Sequence, residues 1–105
     1  MTEDNDGLWH TEPKERELYI LSEFFKILGN STRIRILLLL IEQDACVNAL
    51  AKQLEITQSA VSHQLRLLKS NKLVRQRRYG KTILYTLIDE HVRVAIEKGL
   101  EYILE

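Results

Sequence analysis

A single cysteine, Cys46, cannot close an internal disulfide, so this 105-residue chain must hold together by burial alone, as proteins of reducing compartments do. No apolar run approaches the ~18 residues of a membrane span, and no cationic and apolar leader opens the chain. A cytoplasmic protein with no membrane partner is expected. Net charge is missing too: 15 Lys and Arg balance 15 Asp and Glu. The balance is not uniform. Residues 56–88 contain no carboxylate yet carry seven bases, Arg66, Lys69, Lys72, Arg75, Arg77, Arg78 and Lys81, so all 15 acids fall elsewhere. The 45% hydrophobic content suffices for one small core, and a domain of this size gains by burying further apolar area against a partner.

Residues 1–13 (MTEDNDGLWHTEP) are polar, aperiodic and broken by Gly7 and Pro13, which predicts a mobile tail ahead of one domain over 14–105. Trp9 and His10 are its exceptions. Leu18, Leu21, Phe24, Phe25 and Leu28 recur at helical spacing, and Gly29-Asn30 supplies a stop. A second helix is predicted from a Ser31 or Thr32 cap through RIRILLLLIEQ to Gln43; being apolar on most sides, it belongs in the core. Val47, Leu50, Ala51 and Leu54 predict a short third helix over Asp44–Leu54. Thr57 reads as the cap of a fourth, Gln58–Ser70, which buries Ala60, Val61, Leu65 and Leu68 and turns Ser59, Ser62, His63 and Arg66 to the opposite face. With only Glu55-Ile56-Thr57 between them, the third and fourth helices form a helix-turn-helix. Beyond Asn71 the period changes to two on either side of a Tyr79-Gly80-Lys81 tip, which predicts a β-hairpin. Asp89 can cap a last helix to Leu104 with Val92, Ala95, Ile96, Gly99, Tyr102 and Ile103 as its stripe.

The predicted fold class is therefore mostly α with a β-hairpin, and a helix-turn-helix followed by a hairpin is a winged helix. Phosphate oxygens repel carboxylates at close range, so a surface that docks on double-stranded DNA should lose acids as well as gain bases. Residues 56–88 do both. On the fourth helix, small Ser59 and Ser62 let the backbone approach the groove, and Gln58, His63 and Gln64 can reach base edges. Gln58 and Gln64 could equally be solvated or serve as turn contacts. Arg66 and Lys69 lie further along, where phosphate is expected, and Arg77, Arg78 and Lys81 flank a wing tip that can enter a minor groove or ride the backbone. Catalysis is not expected: Ser62 and His63 are neighbours that diverge by roughly 100° on a helix, and no phosphate loop or paired carboxylate motif is present.

From FKILGNSTRIRILLLL through CVNALAKQLEITQSAVSHQLRLLKSNKLV, RRYGKTILYTL and the final DEHV helix, the chain resembles the ArsR/SmtB family of small dimeric bacterial repressors. The SAVSHQLRLLKSNKLV segment carries the resemblance most specifically, and about four fifths of the chain takes part. The resemblance implies a winged helix-turn-helix homodimer, with the first and last helices (helices 1 and 5) at its interface, that represses at a DNA operator and is released by a metal or another inducer.

Zinc-sensing members pair an Asp and a His early in the last helix with a His and an acid or His late in an antiparallel partner helix. Asp89, His91 and Glu105 match that arrangement, whereas Tyr102 stands in place of the late histidine; Glu101 or water could complete a shell. His91 and Glu105 lie on the order of 20 Å apart along one helix, so one copy cannot close the site alone. A bound zinc would pin the two helices so that the recognition helices no longer match successive major grooves, about 34 Å apart. Asp89 as a plain helix cap and His91 as a surface residue is the other reading, which leaves a regulator with a non-metal inducer or none. The family's arsenic and cadmium sensors have two cysteines around a valine at the start of the third helix. Cys46-Val47-Asn48 keeps only the first, so thiolate sensing is not expected unless His10 and exogenous ligands join Cys46.

Overall fold

The computed structural model describes residues 12–105, so Trp9, His10 and most of the expected tail lie outside the described residues. The elements are α1 (Glu15–Leu28), α2 (Ser31–Glu42), α3 (Val47–Leu54), α4 (Gln58–Ser70), β1 (Val74–Tyr79), β2 (Thr82–Leu87) and α5 (Glu90–Leu104). This is the winged helix-turn-helix order predicted above. No described helix is long and apolar enough to cross a membrane.

The core forms where four elements meet. Ile36 and Leu37 of α2, Leu50 of α3, Val61, Leu65 and Leu68 of α4 and Val74 of β1 are fully buried. The near-continuous leucines of α2 follow from its position, with α1, α3, α4, α5 and β2 all packed around it. Its N-terminus is capped by Asn30, whose Oδ1 accepts from the Arg33 N–H at 3.1 Å, and not by Ser31 or Thr32. Three consecutive residues could each cap, and the first of them is the one with extended backbone.

The helix-turn-helix closes as its sequence predicts at the start of α4, where Thr57 Oγ1 accepts from the Ala60 N–H at 3.0 Å. Ala60 itself, in that first turn, is exposed. Both of its helices end in a left-handed residue that is not glycine. Glu55 has φ 59° and Lys72 has φ 62°. At α3, the Ile56 N–H donates to Ala51 O and the Glu55 N–H to Lys52 O. At α4, the Leu73 N–H donates to Leu68 O and the Lys72 N–H to Lys69 O. These paired bonds satisfy the last carbonyls, and the burial of Leu68 and Leu73 seals the second end.

α3 begins at Val47, three residues later than the start predicted for it. Asp44 is not helical, because Ala45 pairs with Tyr85 across the edge of β2: the Ala45 N–H donates to Tyr85 O at 3.1 Å and the Tyr85 N–H to Ala45 O at 2.8 Å. Cys46 then caps α3, its Sγ accepting from the Ala49 N–H at 3.4 Å. In the hairpin, Val74 pairs with Leu87 and Tyr79 with Thr82, leaving Gly80-Lys81 as a two-residue turn. Gly80 supplies the positive φ, +66°, that such a turn needs to match the strand twist.

Candidate nucleic-acid interface

α4 divides its residues cleanly. Val61, Leu65 and Leu68 anchor it to α2 and α3, which leaves Gln58, Ser59, His63, Arg66 and Lys69 exposed and Ser62 half-buried. No acid lies in α4 or the hairpin, so the outer face of α4 is lined by hydroxyl, amide, imidazole and cationic groups. These are the donors and acceptors that read base edges and phosphates.

Two of the expected base readers are already engaged within the protein. Gln64 is half-buried, and its Oε1 accepts from Arg33 Nε at 2.8 Å; the same guanidinium donates to Ile27 O at 3.4 Å. The pair ties α4 to the α1–α2 junction. Gln58 Nε2 donates to Asn48 Oδ1 at 3.1 Å, linking the first turn of α4 to α3, and it stays exposed. Ser59, Ser62 and His63 make no side-chain hydrogen bond among the described residues.

On the wing, strand alternation separates the bases. Arg75, opposite Thr86, and Arg77, opposite Leu84, share one face, while Arg78, opposite Ile83, points to the other. Arg78 and Lys81 are exposed and form no ion pair among the described residues. Arg77 differs: its guanidinium donates to Asp44 Oδ2 at 3.1 Å and lies 5.9 Å from the ring centroid of Tyr79. The Thr86 hydroxyl and the Arg77 guanidinium hold the Asp44 carboxyl below the usual carboxylate range. Sequence reasoning missed Asp44, which lies 33 positions from Arg77 with no local motif joining them. It also passed over Arg75, which the alternation about Arg77 could have placed.

The residues expected to bind metal sit at the two ends of α5. Asp89 Oδ1 caps the helix, accepting from the His91 N–H at 2.9 Å, and lies 3.6 Å from His91 Nδ1. The His91 side chain is 95% exposed, so both ring nitrogens are open to solvent. The neighbouring Glu90 is held by Arg93, whose guanidinium keeps that carboxyl below its ordinary range. Glu101, Tyr102 and Glu105 are exposed at the far end, with Glu101 3.5 Å from Lys98 Nζ. Among the described residues no three metal-ligating side chains come together.

Of the ten large hydrophobic side chains exposed among the described residues, five are on α1 (Leu18, Tyr19, Ile20, Leu21, Phe25), four on α5 (Val94, Tyr102, Ile103, Leu104), and only Tyr79 lies elsewhere. Between the two helices runs a groove of ≈ 250 Å³ walled by Phe25, Leu28, Ile34, Ile96, Leu100 and Ile103. Nine exposed large apolar side chains on two helices mark these helices as a candidate surface for burial against a partner.

The profile of bacterial regulatory proteins of the arsR family matches residues 30–76, from the cap of α2 into β1. Over 72 residues the chain is 44% identical to a transcriptional repressor SmtB homolog from Synechocystis sp., covering 69% of this chain but only 54% of that relative. It is 36% identical over 72 residues to the transcriptional activator HlyU of Vibrio cholerae, covering 69% of this chain and 67% of HlyU. The solved structure of HlyU superimposes with a TM-score of 0.79 at 29% identity, over 88% of this chain and 100% of that one. A homodimeric winged helix-turn-helix DNA-binding domain from Mycobacterium bovis, a possible ArsR-family regulator, superimposes with a TM-score of 0.76 at 25% identity, over 97% of this chain and 86% of its own. The profile match, the identities and the shared winged fold agree, and the chain belongs to the arsR family of bacterial regulatory proteins.

Proposed function

We propose that the chain is a homodimeric, sequence-specific repressor that acts in the cytoplasm on double-stranded operator DNA, with residues 14–105 working as one unit. The observation that carries this reading is the coincidence of two surfaces on one fold. The hairpin and α4 carry no acid, and the exposed large apolar side chains of α1 and α5 call for a second copy. Two copies joined there present two α4 helices, as a two-fold symmetric operator requires. Ser59, Ser62 and His63 at the start of α4 meet bases, with Gln58 beside them. Arg66, Lys69, Arg78 and Lys81 meet phosphate, and Gln64 acts by holding α4 in place through Arg33.

For the signal, a divalent metal such as zinc is the reading that the residues fit. Asp89 and His91 come together as a nitrogen and carboxylate pair, a donor set that zinc accepts, and Glu105 of a second, antiparallel α5 is the natural third donor. When bound, the ion would supply a cross-link between the ends of the two α5 helices. A second reading, a non-metal inducer or none, is favoured by two observations: the Asp89 carboxylate already serves α5 as its cap, and Tyr102 replaces a late nitrogen ligand. Titrating duplex DNA from the gene's own upstream region with and without zinc separates them. Under the metal reading zinc weakens binding at least tenfold, an increment of about 1.4 kcal/mol. His91→Ala then abolishes that response while leaving metal-free binding intact. Equal affinity with and without zinc would establish the second reading.

A further inference from the structure

The fold carries Asp44 into a surface that the sequence had cleared of acids. Its neighbour Ala45 is locked to the edge of β2 by two backbone hydrogen bonds with Tyr85, at 3.1 and 2.8 Å, so the Asp44 backbone is anchored beside the wing. From there its carboxylate takes the Arg77 guanidinium at 3.1 Å, on the wing face that also bears Arg75 and Thr86. The pair is open to water, with side-chain exposures of 54% for Arg77 and 32% for Asp44. Such pairs add little to folding stability. Its electrical consequence is larger: while it holds, Arg77 adds nothing to the positive surface that DNA meets.

We propose that Asp44 is an internal stand-in for DNA phosphate, holding Arg77 on the free protein and on random duplex and giving it up to a correctly placed operator phosphate. The exchange is physically balanced. A guanidinium gives up one exposed, charge-assisted bond to a carboxylate and gains a bidentate site on a phosphate, and Asp44 returns to water and Thr86. Tyr79 offers the freed guanidinium an aromatic face towards the wing tip. Only DNA that brings a phosphate within reach draws Arg77 out, so Asp44 lowers affinity for random duplex more than for operator. It is a positioning residue that sets specificity. This inference rests on the DNA-binding reading above.

Asp44→Asn tests it, with random duplex and upstream DNA each titrated across a series of salt concentrations. One more free cation per protomer should steepen the log–log salt slope on random duplex by about 0.9 for each protomer of the dimer and raise affinity about fivefold per protomer at physiological salt. Operator affinity should rise less, so the specificity ratio falls. Adding Arg77→Gln to Asp44→Asn should return random-duplex binding to the wild-type slope. Glu15→Gln, the same change in net charge on α1, should leave the slope where it was. Asp44→Ser takes the place of Asp44→Asn if the latter does not fold; failure of both to fold would assign the carboxylate to the fold and overturn the proposal. An unchanged random-duplex slope in a folded Asp44 variant would also overturn it. A wild-type protein that binds no duplex at all would instead sink the DNA-binding reading on which it stands.

Discussion

Phe25→Asp is expected to give a folded monomer that no longer holds operator DNA. Phe25 is 61% exposed in the single protomer and contributes nothing to the fully buried core, so a charge there leaves the α2, α3 and α4 packing untouched. In the proposed dimer the same position lies in the apolar groove between α1 and α5, beside Ile96, Leu100 and Ile103. A carboxylate taken out of water without a partner costs several kcal/mol. Two symmetry-related copies pay that cost twice, so the dimer dissociation constant should rise by about a thousandfold or more, at ~1.4 kcal/mol per factor of ten. Sedimentation equilibrium reads the mass, and circular dichroism reads the fold. With the copies separated, each α4 binds a half-site singly and operator affinity collapses. A dimer that survives Phe25→Asp would place the interface elsewhere.

Ser59→Glu should separate stability from DNA binding in opposite directions. Ser59 is exposed in the first turn of α4, where the positive end of the helix dipole favours negative charge. A glutamate there is neutral or slightly stabilising to the helix, by about 0.3–1 kcal/mol. Against DNA the same carboxylate faces phosphates and acceptor-rich base edges, and a like-charge juxtaposition costs several kcal/mol. Operator affinity should therefore fall at least about a hundredfold with no loss of melting temperature. Retained affinity would mean that another surface meets the DNA.

The features legible in the sequence were those determined locally. Thr57 and the spacing of Val61, Leu65 and Leu68 fix α4 because a cap and a 3.6-residue period are both written within one helix. Gly80 marks the hairpin for the same reason, since its positive φ is a local demand. The features that stayed hidden depend on distant partners. Arg33 meets Gln64 across 31 positions, Asp44 meets Arg77 across 33 and Asn48 meets Gln58 across 10, so three residues chosen from sequence as DNA contacts are held by other side chains. The Ala45–Tyr85 bridge likewise takes Asp44 out of the helix that local periodicity predicts. The ends of α3 at Leu54 and α4 at Ser70 were legible, but the left-handed residues that close them, Glu55 and Lys72, were not, because neither is the usual glycine. On α1 and α5 the apolar stripes were legible as helices, yet what they pack against was not, because one copy of the chain leaves them uncovered.

The most direct test is the salt dependence of duplex binding by a protein in which Arg66, Lys69, Arg78 and Lys81 are all changed to Gln, with folding and dimer mass checked alongside. Each lost phosphate contact should make the log–log slope shallower by about 0.9, so a slope reduced by several units in a folded dimer is expected. A slope and affinity identical to those of the wild type would contradict the assignment of α4 and the wing as the surface that meets DNA.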